Sequence, residues 1–268
     1  MTEAKIRRIR DDFPALETFV WFQNGGVSIT PRCVADYHTE LMFELRDRGP
    51  MHIAYPDEER PRREVSLTRI ARFFCADRNQ IALMRGVSEA FLTVLRGLDW
   101  QPGDEIVVSA DEEAALLLPV LALRDQQGIT VRKLELVDGS TDQQVAALEA
   151  CLGERTRLVA FSHVTTDLGH RLPAGELCET VRQHGAMSFV DMAHSCGVLP
   201  IDLDETGCDF AGLLSYKWMY SPYAAGLLYV NPGRIGELAV RFPGGRSDVG
   251  LPQALLGRTS PSQGTVDE

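Results

Sequence analysis

The sequence lacks the features that would place the protein in a membrane, in the secretory pathway or on nucleic acid. No run of about eighteen uncharged apolar residues occurs, and the opening stretch MTEAKIRRIRDDFPALE carries charge where a signal peptide needs an apolar run. Lys and Arg number 27 against 38 Asp and Glu, for a formal net charge of −11. Binding to nucleic acid or anionic lipid draws on clustered basic residues. We therefore expect a cytoplasmic protein with no nucleic-acid or membrane partner.

The sequence also lacks cysteine pairs and the common nucleotide-binding motifs. The six cysteines are scattered without a CxxC pair, so neither a metal site nor a disulfide framework is expected. The motifs GxGxxG and GxxxxGK[ST] are both missing, which makes a nucleotide-binding α/β protein the weaker alternative.

What the sequence does contain is a regular alternation of apolar strands and amphipathic helices along 268 residues. Continuous apolar strands separated by helices are typical of a parallel sheet that is covered on both faces. We predict an α/β fold with three αβα layers and a mostly parallel central sheet, with functional residues at the carboxyl ends of the strands. The predicted strands lie in IALM, DEIVVS, ITVRKLEL, TRLVAFSHV, MSFVDMA, CDFAGLLS and GLLYV.

The first candidate segment is LMRGVSEAF, where a strand turns directly into a helix. Free amides at a helix N-terminus, here those of Val87 and Ser88, can hold a phosphate group, and the Ser88 hydroxyl adds a donor. The alternative is that Ser88 is an N-cap with no ligand.

The second segment is FVDMAHSCG, in which Asp191 follows an apolar strand and His194 comes three residues later. A buried carboxylate is costly without a cationic partner, such as a protonated ring nitrogen or an arginine. The alternative is an aspartate that caps the turn and a histidine that is satisfied within the fold.

The third segment is LLSYKWMYSPYAAGLLYV, which holds Lys217 among apolar and aromatic residues. A lysine that attacks a carbonyl group must lose its proton, and apolar surroundings favour that loss. A surface lysine whose stem covers apolar neighbours is the alternative.

Taken in order, these motifs resemble the class V aminotransferases, a family of pyridoxal-phosphate enzymes of fold type I that includes cysteine desulfurases, selenocysteine lyases, kynureninases and isopenicillin N epimerase-like enzymes. The resemblance covers most of residues 12–245. It is carried by FQNGGVSITPRCV, GVSEAF, QPGDEIVVS, FSHVTTDLGHRLP, FVDMAHSCGVLPIDL, GCDF and SYKWMYSPYAAGLLYV.

The resemblance implies a role for each of these residues toward pyridoxal 5′-phosphate. Lys217 would form the internal aldimine and move the proton at the substrate α-carbon, Asp191 would pair with the pyridinium nitrogen, and His194 would bond the phenolate oxygen. Val87 and Ser88 would bind the phosphate. The resemblance also implies cofactor contacts at Thr166 and Ser215. Gly244 and Gly245 resemble a glycine turn that in relatives reaches the cofactor of the neighbouring subunit, which implies a homodimer.

The chain departs from the family pattern at several positions. Glu113 stands where relatives stack a ring on the cofactor, and a carboxylate cannot stack. Thr166 stands where relatives often have an asparagine. Leu214 stands where relatives often have a serine, and Ser215 follows one position later. The chain also ends before the family's C-terminal small domain, which supplies the arginine for the substrate carboxylate.

Two hypotheses of different classes follow. The first is a pyridoxal-phosphate-dependent lyase or transferase, cysteine desulfurase-like or kynureninase-like, that acts on an amino acid. The second is a truncated, inactive homologue that serves as a binding or scaffold module. The expected organisation is an N-terminal segment over 1–20, a cofactor-binding large domain over 21–245 and an irregular tail over 246–268, with the small domain absent.

Overall fold

The structure, a computed structural model, describes residues 2–135 and 139–241. Each predicted strand is present in it, and helices connect most of them. The helices are α1 (Glu3–Asp11), α2 (Arg32–Arg48), α3 (Met51–Ala54), α4 (Pro56–Phe73), α5 (Val87–Gly97), α6 (Ala114–Gln127), α7 (Thr141–Cys151), α8 (Ala174–Gln183) and α9 (Leu203–Thr206). The strands are β1 (Ile81–Met84), β2 (Glu105–Ser109), β3 (Thr130–Leu134), β4 (Thr156–Ser162), β5 (Met187–Asp191), β6 (Phe210–Leu214) and β7 (Gly226–Val230).

The seven strands form one mostly parallel sheet, which confirms the predicted fold class. The order across the sheet is β1-β7-β6-β5-β4-β2-β3. Neighbouring strands from β6 to β3 pair in parallel, whereas β7 runs antiparallel to both β6 and β1. The central strands β5 and β6 are buried along their whole length, because helices cover both of their faces.

Helices form the outer layers, and an apolar cluster lies between the helices and the sheet on each face. On one face α5 and α6 pack their apolar side, including Phe91 and Leu116, against strand residues such as Ile106. On the other face α7 and α8 contribute Leu148 and Leu177. The successive residues of a buried strand alternate between these two clusters, as the two-residue period of a strand requires.

Two glycines let helix α5 begin directly above the sheet. A Cβ on Gly212 would lie 2.9 Å from Val87 Cγ1, and a Cβ on Gly226 would lie 2.8 Å from Gly86 Cα. Any larger residue at Gly226 would meet backbone, which cannot move aside cheaply. These two glycines therefore place the N-terminus of α5 over strands β6 and β7.

Within the described residues, none of the helices is both long and apolar enough to span a bilayer. The predicted tail over 246–268 lies outside the described residues. The domain limits and the cytoplasmic location stay predictions.

Candidate functional site

A cavity of about 910 Å³ lies at the carboxyl ends of the central strands, where the fold class predicts a ligand site. It collects side chains that are far apart in the sequence. Its lining includes five of the residues proposed from the sequence, together with the glutamate at the expected stacking position: Val87, Ser88, Asp191, His194, Lys217 and Glu113.

The amine of Lys217 is buried at the centre of this group. Its Nζ atom lies 3.0 Å from His194 Nε2 and 3.5 Å from Glu113 Oε1, and only 9% of the side chain is exposed. Burial and the nearby Lys217 lower the pKa of His194 below its ordinary value. His194 is therefore neutral near pH 7 and accepts a hydrogen bond from the lysine. The alternative of a surface lysine is wrong.

A close approach of two loops brings His194 against the lysine. Gly197 has a φ of +86°, and a Cβ there would lie 2.6 Å from the carbonyl oxygen of Trp218. Only glycine adopts this conformation without strain and also leaves room for the neighbouring backbone. The turn after β5 can therefore contact the segment after β6 that carries Lys217.

Asp191 ends strand β5 and is buried in the floor of the cavity. Its Oδ1 atom accepts a hydrogen bond of 2.7 Å from the amide of Ala193, as in the predicted turn. Among the described residues no other hydrogen bond reaches this carboxylate. Burial raises its pKa to about 6, and the charge of Lys217 offsets only part of that rise. The site therefore holds an acid that would gain from a cationic N–H donor in the cavity.

The start of helix α5 contributes amide donors to the lining of the cavity. Gly86 is the N-cap residue and makes no side-chain cap bond, so the alternative in which Ser88 is the N-cap is wrong. Val87 and Ser88 occupy the first turn, and within the described part of the chain no carbonyl accepts from their amides. Such amides favour an anion, because the helix dipole adds to their own partial charge.

Two of the remaining predicted site residues, Thr166 and Ser215, do not line the cavity. Thr166 has a buried hydroxyl with no partner among the described residues, and it does not line the cavity. The Ser215 hydroxyl donates to the carbonyl of Ala225 at 2.7 Å and accepts from Ser221. Gly244 and Gly245 lie outside the described residues.

Sequence reasoning missed Glu112, which lies at the ends of β2 and β4. Its carboxyl group accepts from the amide and the hydroxyl of Ser162, both at 2.7 Å, and contacts the Ser109 hydroxyl. Burial raises its pKa to about 7, and the charge of Asp191 adds to the rise. Two successive glutamates after an apolar strand could have indicated a carboxylate at this edge of the sheet. The pattern does not say which of the two is buried.

The opening segment also contributes to the cavity without having been assigned a role. Gly25 and Gly26 line it, and a Cβ on Gly25 would lie 3.6 Å from the ring of His194. The Asn-Gly-Gly run in FQNGGVSITPRCV marked a turn, but a turn motif does not say which part of the fold it covers.

Comparison with known proteins identifies the family of this chain. Residues 60–262 match the family model described as aminotransferase class-V. The chain belongs to the aminotransferase class-V family.

Curated relatives in this family carry several activities. Over 171 residues the chain is 36% identical to the isopenicillin N epimerase of Streptomyces clavuligerus, covering 63% of this chain and 43% of that protein. It is 30% identical to a probable cysteine desulfurase of Mycolicibacterium paratuberculosis, covering 93% of this chain and 38% of that protein. A probable cysteine desulfurase of Methanothermobacter thermautotrophicus is 31% identical, with 88% and 59% covered. The chain thus spans between two fifths and three fifths of these relatives.

Two solved structures superpose closely on this chain. A C-DES mutant with glycine covalently linked to its pyridoxal-phosphate cofactor superposes with a TM-score of 0.84 at 30% identity, covering 90% of this chain and 64% of that one. The cystine C–S lyase C-DES, in complex with its product cysteine persulfide, gives a TM-score of 0.83 with 88% and 64% covered.

Proposed function

We propose that this aminotransferase class-V chain binds pyridoxal 5′-phosphate through Lys217 and acts on an amino acid as a lyase or transferase. The observation that carries the proposal is the buried Lys217 amine, 3.0 Å from a neutral His194 and in one cavity with Asp191 and the α5 N-terminus. The curated relatives and the C-DES structures support it, because their descriptions name amino-acid chemistry and, in one case, the cofactor.

The residues present fit the cofactor at three points. A pyridinium N–H is the cationic donor that the buried Asp191 carboxylate lacks within the described chain. The free amides of Val87 and Ser88 suit a phosphate group. The Lys217 amine suits an aldehyde carbon, since a neutral amine is the nucleophile that carbonyl chemistry requires.

In this mechanism each residue has one task. The bound cofactor supplies an electron-withdrawing ring that stabilises negative charge at the substrate α-carbon. Asp191 would keep the ring nitrogen protonated, while Val87 and Ser88 would hold the phosphate. His194 would hold the ring by a hydrogen bond, and the Lys217 amine would take the proton from the substrate α-carbon and return it.

We further propose that residues 21–245 form the cofactor-binding domain and that the protein is a homodimer. Helix α2 supports the second point, because none of its 17 residues is buried. It also exposes Tyr37, Met42 and Phe43, each with more than half of its surface accessible. Exposed apolar side chains on a helix that packs against little of its own chain are typical of an interface. Light scattering of the purified protein would test it.

The test of the proposed function uses the small number of lysines in the chain, which are Lys5, Lys133 and Lys217. Purified protein is mixed with pyridoxal phosphate, its visible spectrum is recorded, and the adduct is reduced with borohydride and mapped by peptide mass spectrometry. We expect a visible band and a reduced adduct on Lys217, both lost in Lys217→Ala. Lys133→Ala is the matched control, because Lys133 is exposed and pairs with Glu135 on the surface. An adduct spread over Lys5 and Lys133 would contradict the proposal.

A second candidate function, a binding or scaffold module without turnover, is favoured by one observation. Glu113 occupies the position where a ring would stack, and its carboxylate pairs with the amine that must react. Incubation with amino acids in deuterium oxide separates the two functions. Exchange of the α-proton, detected by NMR, would remove the inactive module; binding of the cofactor without exchange for any amino acid would favour it.

A further inference from the structure

The carboxylate of Glu113 is the feature of the site that the family pattern does not explain. It stands at the N-cap of α6 and lines the cavity, with Oε1 at 3.5 Å from Lys217 Nζ and 3.6 Å from His194 Nε2. The glutamate side chain is 38% exposed, whereas that of the lysine is 9% exposed. The ion pair therefore sits at the mouth of the site, with its cation inside and its anion toward solvent.

We propose that Glu113 controls how fast the site captures its aldehyde cofactor, by holding Lys217 as an ammonium ion until the cofactor enters. This inference rests on the proposed function. Capture requires the ammonium group to release a proton to solvent. The neutral nitrogen then bonds to the aldehyde carbon, the carbon–oxygen double bond is replaced by a carbon–nitrogen double bond, and the oxygen leaves as water. A carboxylate beside the ammonium stabilises the form that cannot react.

The other charged groups around the amine are the same whether residue 113 is glutamate or glutamine, so they do not account for a difference between the two proteins. His194 is neutral because burial lowers its pKa, so it adds no cation near Glu113. Asp191 has a pKa of about 6, so it is mostly ionised near pH 7 and its charge also favours the Lys217 ammonium; Glu112, with a pKa of about 7, is only partly ionised there. Burial also raises the pKa of the Tyr216 phenol, which stays neutral.

Arg85 and Glu89 also line the cavity and pair with each other at 3.0 Å, and Arg96 is a further lining residue. Among the partly exposed carboxylates that line the cavity, Glu113 is thus the one that pairs with the reacting amine of Lys217.

The variant Glu113→Gln tests the idea without removing a structural contact. The Glu113 side chain makes no N-cap hydrogen bond to α6, so the helix start does not depend on it. Glutamine has the same size and keeps an oxygen that can accept from Lys217, but it has no charge. Glu176→Gln is the matched control, because Glu176 is an exposed glutamate in the first turn of α8 and does not line the cavity.

The measurement is the rate at which cofactor-free protein captures pyridoxal phosphate, followed by stopped-flow absorbance from pH 6.5 to 9.5. We expect Glu113→Gln to capture about three to ten times faster than the wild type near pH 7, the size expected for a partly exposed ion pair. Glu176→Gln should match the wild type. Equal rates for Glu113→Gln and wild type at every pH, or slower capture by Glu113→Gln, would overturn the inference.

Pyridoxal, which lacks the phosphate, identifies the origin of any acceleration. An ion pair with the amine predicts the same acceleration for pyridoxal as for pyridoxal phosphate. Acceleration with the phosphate ester alone would mean that Glu113 repels the phosphate, and it would overturn the inference. Reduction and mapping separate this failure from a failure of the proposed function. An adduct on Lys217 in both proteins with equal rates contradicts only the role of Glu113, whereas no adduct on Lys217 in either contradicts the function itself.

Discussion

Replacing Asp191 by asparagine should stabilise the cofactor-free protein, even though this residue is the proposed anchor of the cofactor ring. Burial raises the Asp191 pKa from its ordinary value of 3.8 to about 6. The fold therefore prefers the protonated acid, so the stability linked to this group is complete below pH 3.8 and is lost as the pH rises through 6. Since each pH unit of displacement corresponds to about 1.4 kcal/mol, the ionised carboxylate costs about 3 kcal/mol at pH 8.

Asparagine removes that cost and keeps an oxygen for the Ala193 amide. We expect Asp191→Asn to raise the free energy of unfolding by up to about 3 kcal/mol at pH 8, and by about half as much at pH 5. Urea denaturation of the cofactor-free proteins at both pH values measures this difference. A gain that does not change with pH, or a loss of stability at pH 8, would refute the electrostatic reasoning. Asp191→Asn should nevertheless bind pyridoxal phosphate more weakly than the wild type, because an amide supplies no negative charge to pair with the pyridinium.

Two further perturbations test the supports of the site. Gly226→Ala should destabilise the protein by about 3 kcal/mol in urea denaturation and weaken cofactor capture, because the new methyl group would meet the backbone of Gly86 at the start of α5. Glu112→Gln should stabilise the protein by about 2 to 3 kcal/mol above pH 8, because burial raises the pKa of this acid from 4.5 to about 7. The gain in stability should vanish below pH 4.5. Equal stability of Glu112→Gln and the wild type at pH 8.5 would contradict this prediction.

Most of the fold could be predicted from the sequence, because it depends on local and additive signals. The buried strands read as apolar runs, and Gly128 ends helix α6 in the left-handed conformation, as expected of a glycine at that place. The antiparallel direction of β7 was not predicted, although residues 215–225 between β6 and β7 contain no helix and a connection without a crossover helix favours an antiparallel pair. The pairing of β1 with β7 depends on residues about 145 positions apart, and no local pattern encodes it.

The candidate site was predictable where a strand end fixes a side chain and less so elsewhere. Asp191 and Lys217 follow buried strands, so the parallel sheet brings them to one edge. His194 reaches the amine only because Gly197 lets two loops approach, a tertiary contact that the sequence does not display. The path of the chain from β2 to α6 determines which groups Glu112 and Glu113 contact. Their different burial could therefore not be predicted from two consecutive glutamates in the sequence.

The three acids at this edge have different consequences for the same cavity. Asp191 is buried near a lysine that stabilises its charge only partly, so a cationic ring nitrogen would supply the partner that the described chain lacks. Glu112 is also buried, but it has three hydrogen-bonding contacts from serines and is satisfied without a ligand. Glu113 is partly exposed and pairs with the amine itself, so a ligand that bonds to Lys217 must displace it. Binding of the cofactor would thus improve the surroundings of one acid while breaking the ion pair of another. The balance between Asp191 and Glu113, more than the amine alone, should set how tightly this chain holds an aldehyde.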